Sequence, residues 1–257
     1  FKAVFLLTGT IIGAGIFALP YSFLLSGFWP SVFGLLALGL LTLILNLFYS
    51  RVILKTDGDH QLGGYTKIYF GERWGRLASL AIIFSTTGAL FAYIILGGQF
   101  FSLIFGQSQN LIYRLLFFCL GATFFLRDFK TLSQINSILT IFLIALALAF
   151  PIFGFKFFNW DNLMIPGTKI FAFYGPVLFA FSGTAVIPEV EEVLRTKHKF
   201  LNLAVVMGTL IPIIIYFLFG FGVLAISGGF TTVDALSGLL AWSPTLVRIG
   251  AGIGLLA

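Results

Sequence analysis

The chain has 257 residues, 59% of them hydrophobic and only 9% charged. A soluble domain carries about a quarter charged residues, so this composition excludes one and fits an integral membrane protein. The formal charge of +6 therefore speaks to membrane topology; no nucleic-acid partner is expected.

Crossing the hydrocarbon core takes about 20 apolar residues, and runs of that length recur along the chain. Seven complete segments are expected, over residues 3–26, 30–54, 77–105, 110–127, 132–154, 169–189 and 200–227, with an eighth starting near 243. Both ends fall at or inside apolar runs, so the chain reads as a piece of a longer polytopic protein.

The first segment carries "GTIIGAGIFALP", residues 9–20, with three glycines and a proline. Glycine costs a helix interior about 1 kcal/mol and proline about 3, so this stretch needs a reason. Gly9 and Gly13 form a GxxxG that could bring a second helix close. The same residues could instead break the helix at membrane depth. Both uses are open from this segment alone.

After the second segment comes a polar loop, "KTDGDHQLGGYTKIYFGERWGR", residues 55–76. Within it "GYTKIYFGERWG" suits a short interfacial helix. Tyr93, in the third segment, reads as a packing residue that could also reach a central site. Cys119 sits mid-run in "LLFFCLGATFFL" and reads as a buried packing residue. His60 and His198 read as solvated loop residues, since metal sites need clustered partners.

The sixth segment echoes the first. "FAFSGTAVIP" sets Gly183 five residues before Pro188, as Gly15 stands five before Pro20, 168 positions apart. The echo favours a pair of discontinuous helices over simple packing. Five segments precede it, so a second five-helix unit would run with opposite orientation. The division expected is 1–154 for the first repeat and 155–257 for an incomplete second. A break at membrane depth frees backbone N–H and C=O groups, at several kcal/mol each if left in lipid. Two facing breaks could bind a zwitterion without any charged side chain, and an amino acid is the obvious one.

Beyond Pro188 stand Glu189, Glu191 and Glu192. Glu191 and Arg195 are spaced for an i, i+4 pair. Glu189, the deepest, is the candidate proton carrier. With the N-terminus inside, eleven of the fifteen basic residues fall on the cytoplasmic side, among them Arg51, Lys55, Lys67 and Lys199. Only Arg114, Lys156, Lys169 and Arg248 fall outside, which favours a cytoplasmic N-terminus in a cell membrane.

"GTIIGAGIFALP" and "LFAFSGTAVIPEVEEVL", with "GDHQLGGY" in support, resemble the amino acid permeases of the APC superfamily. The likeness is to the amino acid/auxin permeases and the bacterial tryptophan/tyrosine permeases. The resemblance implies an all-α polytopic protein with the inverted 5+5 repeat of the bacterial leucine transporter and broken first and sixth helices. It implies a symporter of amino acids, aromatic or other neutral ones, working by alternating access. It implies that amides around Gly13, Ala14 and Gly15 bind the substrate carboxylate. Carbonyls of Thr10, Ile11, Phe179, Ala180 and Ser182 would receive the amino group, with Phe181 and Gly183 lining the same unwound region. Gly9 and Ile12 stand where sodium-coupled relatives hold an ion, so the coupling ion is Na+ or H+; no other cofactor is implied. Thr184 and Ala185 follow Gly183, so the Gly-x-Glu of the polyamine and basic amino acid exchangers is absent.

No HExxH, paired intramembrane aspartates or Ser/His constellation is present, so an enzyme is not expected. A seven-helix receptor wants an outside N-terminus and leaves the Gly–Pro echo unexplained. A channel or exchanger of the same fold, carrying another small solute, is the alternative.

Overall fold

The computed structural model describes residues 2–106, 111–124, 129–194 and 197–256; of residues 124 and 129–137 it describes only the backbone. Every regular element among them is helical. Backbone polar groups have no water to bond in hydrocarbon, so a chain this apolar satisfies them within helices.

The first segment is α1 (Lys2–Ile11), a 3-10 turn (Ala14–Ala18) and α2 (Leu19–Ser26). The second is α3 (Phe28–Lys55), followed by α4 (Leu62–Phe70) and the third segment, α5 (Glu72–Phe105). Then come α6 (Leu111–Phe124) and α7 (Phe129–Phe153). The sixth segment divides into α8 (Tyr174–Ala180) and α9 (Ile187–Val193), and the seventh is α10 (Leu201–Ser227). The helix expected from about residue 243 is α11 (Pro244–Leu256). Among the described residues, three unbroken helices (α3, α5 and the helix around α10) are long and apolar enough to cross a bilayer. The bent pair formed by the first segment is a fourth. The chain is an all-α polytopic membrane protein.

Helix α10 is the hub. Its small residues let neighbours approach: Gly208 lies under Leu7 of α1, and Gly220 under Phe23 of α2. Close approach over small residues is how helices pack where lipid removes the hydrophobic drive. Phe219 meets Phe17 of the first segment and Phe150 of α7 edge-on, at 5.8 and 5.9 Å between ring centroids. Phe17 meets Phe100 of α5 at 4.9 Å, so one aromatic chain ties the first, third, fifth and seventh segments together.

Helix α5 is the opposite case, exposing Ile83, Phe84 and Phe91 along its length. Apolar side chains turned outward suit lipid, not water. Two expectations are corrected on this side of the molecule. The interfacial helix does not run through 64–75: Gly71, at φ +89°, ends α4, and the following Glu-Arg-Trp-Gly becomes the first turns of α5. The two helices then fold against each other, with Gly63 lying under Ser79 and Gly75 under Lys67. Cys119 is exposed, not buried. Helix α6 meets α5 through Phe117 over Gly97 and Arg114 over Gly98, so the cysteine lies off that seam.

Candidate functional site

The Gly–Pro echo is a shared local geometry. In the first segment α1 ends at Ile11, Gly13 is extended (φ −123°, ψ −159°), a 3-10 turn follows, and α2 starts at Leu19 with Pro20 in its first turn. In the sixth, α8 ends at Ala180 and Gly183 leads into a 3-10 turn, Thr184–Val186. Helix α9 then starts at Ile187 with Pro188 in its first turn. Proline is suited to that position because the N–H it lacks would have no helical partner anyway. The halves of the first segment are bent by 41°.

The two breaks touch. A β-carbon on Gly15 would stand 2.9 Å from Cα of Ala180, and one on Gly183 would overlap Cγ1 of Ile11. Each glycine thus lies against the helix end on the other side of the crossing. The GxxxG glycines have divided roles. Gly9 packs, since a β-carbon there would stand 2.6 Å from Oγ1 of Thr140 in α7. Gly13 faces open space, its nearest neighbour being the Tyr93 hydroxyl, 3.8 Å from where a β-carbon would stand.

Two clefts open on the breaks. A larger one, about 720 Å³, is bounded by Thr10, Ile11, Gly13 and Gly15 on one side and by Phe179, Ala180 and Ser182 on the other, with Tyr93 and α5 forming its wall. A second, about 360 Å³, is bounded by Gly9, Thr10, Ile12, Gly13 and Ala14, with Tyr93 and Thr140 opposite. Tyr93 therefore stands between both clefts, and its ring lies 6.3 Å from that of Phe179. No charged side chain lines either cleft among the described residues. The polar groups available are backbone and hydroxyls. By position, the N–H groups of Ala14 and Gly15 open a helical turn and lack a helical acceptor.

Two residues of the expected set sit elsewhere. Phe181 is buried against α10, its ring 5.3 Å from that of Tyr216, and Gly183 is covered by Ile11. The carbonyl of Phe179 already accepts bonds from the Ser182 N–H (3.1 Å) and hydroxyl (2.6 Å). Those of Ile11 and Ala180 face the hydroxyl of Tyr216, at 2.5 and 2.8 Å. Asn46 of α3, fully buried, secures the second break: its Oδ1 accepts from Thr184 at 2.8 Å, and its amide donates to Thr209 of α10 at 3.4 Å.

Glu189 lies apart, in a small pocket of about 100 Å³ with His60, Gln61 and Tyr65. Burial pushes the Tyr65 phenol above its usual range. Glu191 pairs with His198, Nδ1 to Oε1 at 2.8 Å, so His198 is not simply solvated. The expected partner Arg195 lies outside the described residues. No cluster of metal-binding side chains occurs among those described.

Sequence reasoning missed Thr140, Asn46 and Tyr216. Each was visible as a lone polar side chain inside an apolar run, a placement that costs free energy and asks for a partner.

A family described as "Transmembrane amino acid transporter protein" matches residues 1–256. The chain belongs to that family. Within the family's reach, the chain is 28% identical over 222 residues to "Tyrosine-specific transport system 1" of Haemophilus influenzae. The alignment takes in 83% of this chain and 54% of that relative, so the chain spans about half the length of the curated relative it matches.

Proposed function

We propose that the chain forms the core of a secondary transporter that carries amino acids across the cytoplasmic membrane. The observation that carries the reading is the meeting of two broken helices, Gly15 against Ala180 and Gly183 against Ile11, beside clefts without charged walls. An α-carboxylate finds N–H groups at the start of a helical turn, those of Ala14 and Gly15, while the Gly13 N–H is already given to the Ile11 carbonyl. An ammonium finds carbonyls where helices end, around Thr10, Ile11, Ala180 and Ser182. Family membership supports an amino acid as the solute, and the named relative makes tyrosine the first candidate.

In this reading residues 1–154 form one repeat and 155–257 begin its inverted counterpart, with the breaks rocking about a midplane site. The uneven split of basic residues supports a cytoplasmic N-terminus. Coupling is to Na+ or H+, with Gly9 and Ile12 as ion-site candidates and Glu189 as the proton candidate. Gly9 and Ile12 border the smaller cleft, beside the hydroxyl-bearing Thr140.

The test is uptake of labelled amino acids, tyrosine first, by the full-length protein in sealed vesicles. Accumulation against a gradient, abolished when the Na+ and H+ gradients are collapsed, is expected. Failure to move or bind any amino acid overturns the reading, and downhill movement alone would remove ion-coupled symport from it.

A further inference from the structure

The Tyr216 side chain is fully buried on α10, yet it ends in a hydroxyl. That oxygen stands 2.5 Å from the carbonyl oxygen of Ile11, the last residue of α1. It stands 2.8 Å from the carbonyl oxygen of Ala180, the last residue of α8. The last carbonyls of a helix have no helical donor, so both breaks create the same need. One side chain from a third helix meets it at both.

The donor arithmetic is uneven. A phenol carries one proton, so it serves one carbonyl fully or two partially. The Ile11 carbonyl has a second donor, the Gly13 N–H at 3.0 Å. Ile11 and Ala180 both border the large cleft, whereas Tyr216 sits behind them and does not. Of the two, the Ala180 carbonyl is the one short of donors, so a group with several N–H protons entering the cleft meets it held from behind, beside the Ile11 carbonyl.

We propose that Tyr216 is a positioning residue of the substrate site: its hydroxyl holds the Ile11 and Ala180 carbonyls of the two breaks together so that they receive the α-ammonium of the substrate. This rests on the amino acid reading above. Tyr216 itself does not touch substrate. Its ring, edge-on to Phe181 at 5.3 Å, fixes where the hydroxyl stands. Loss of the hydroxyl should therefore weaken the hold on the ammonium alone and leave the carboxylate end, on the N–H groups near Gly15, as it was.

The experiment compares two ligands in the full-length protein in vesicles. One is L-tyrosine, or whichever amino acid a panel shows to be best bound. The other is its des-amino acid, for tyrosine 3-(4-hydroxyphenyl)propionate, read as a competitor. Tyr216→Phe should raise the KM of the amino acid about tenfold and leave the Ki of the des-amino acid within twofold. Phe219→Leu, which thins packing on the same helix without removing a polar atom, should move both constants by a common factor. Should Tyr216→Phe not accumulate, 3-fluorotyrosine placed at 216 keeps the hydroxyl and makes it a stronger donor. The ratio of the two constants should then depart from wild type. A ratio unchanged in Tyr216→Phe or in the 3-fluorotyrosine protein, or an amino acid KM that falls in Tyr216→Phe, overturns the role of Tyr216. A wild-type protein that binds no amino acid overturns the site reading itself, and the two failures are separate.

Discussion

Gly15 abuts Ala180 so closely that a β-carbon on the glycine would stand 2.9 Å from the alanine Cα. Backbone does not yield as a side-chain tip does, so even a methyl group must push the two breaks apart. Gly15→Ala should cost about 1–3 kcal/mol of stability, the usual range for overpacking. Gly15→Leu should abolish transport while membrane insertion persists. Thermal unfolding in detergent and vesicle uptake measure the two effects, and normal affinity in Gly15→Leu would remove the N–H groups near Gly15 from the carboxylate role.

Gly9 and Gly13 make the contrasting pair. A β-carbon on Gly9 would stand 2.6 Å from Oγ1 of Thr140, whereas Gly13 has room. Gly9→Ala should therefore destabilise by about 1–3 kcal/mol. Thr140→Ala should recover part of that loss, because the next contact, Thr140 Cβ at 3.4 Å, is ordinary packing. Gly13→Ala should leave stability nearly unchanged and instead raise KM, since its methyl enters the space toward Tyr93. Unfolding midpoints for the single and double variants decide the first claim and uptake kinetics the second.

What was legible in the sequence, and what was not, follows from where the information lies. The breaks are local events, written by glycine and proline within twelve residues, so "GTIIGAGIFALP" and "FAFSGTAVIP" carry them openly. The groups that secure the breaks are not local. Tyr216 reaches Ile11 across 205 positions and Asn46 reaches Thr184 across 138. A lone sequence shows the polar residue but not its partner. Phe181 and Gly183 fall out of the cleft for a related reason: which face of an unwound segment turns inward depends on the helix that crosses it. Cys119 was misread because burial of a membrane helix face is set by its neighbours, and hydropathy does not distinguish core from lipid.

Asn46 tests how strongly the second break is held. Its carbonyl oxygen accepts from the Thr184 hydroxyl at 2.8 Å, in a fully buried position between α3 and the turn after Gly183. Hydrogen bonds between membrane helices contribute about 0.6 kcal/mol on average, because the unfolded chain also finds partners in lipid. Asn46→Ala and Thr184→Ala should each lower stability, and the double variant should fall short of their sum by about that amount. A full double-mutant cycle of unfolding free energies gives the coupling, and strict additivity would mean that the bond does not hold the break.

Gly71 tests the correction to the interfacial helix. Its φ of +89°, with ψ 173°, is a region that side-chain-bearing residues rarely adopt, and no atom lies within 4 Å of where a β-carbon would stand. Any cost of Gly71→Ala is then conformational and not steric, about 1–3 kcal/mol for a strained backbone. The bridge between Lys67 and Glu72, Nζ to Oε2 at 2.8 Å, spans the same turn, and the lysine beside it holds the Glu72 carboxyl below its usual range. Both groups are exposed, so the bridge adds little to stability and cannot hold the turn by itself. The glycine conformation is what lets α4 fold back on α5. Gly71→Ala should thus loosen α4 while leaving α5 intact, measured as faster amide exchange over residues 62–70 with unchanged exchange over 80–100. Equal protection in both stretches would mean that a continuous helix through 64–75 serves as well as the hairpin.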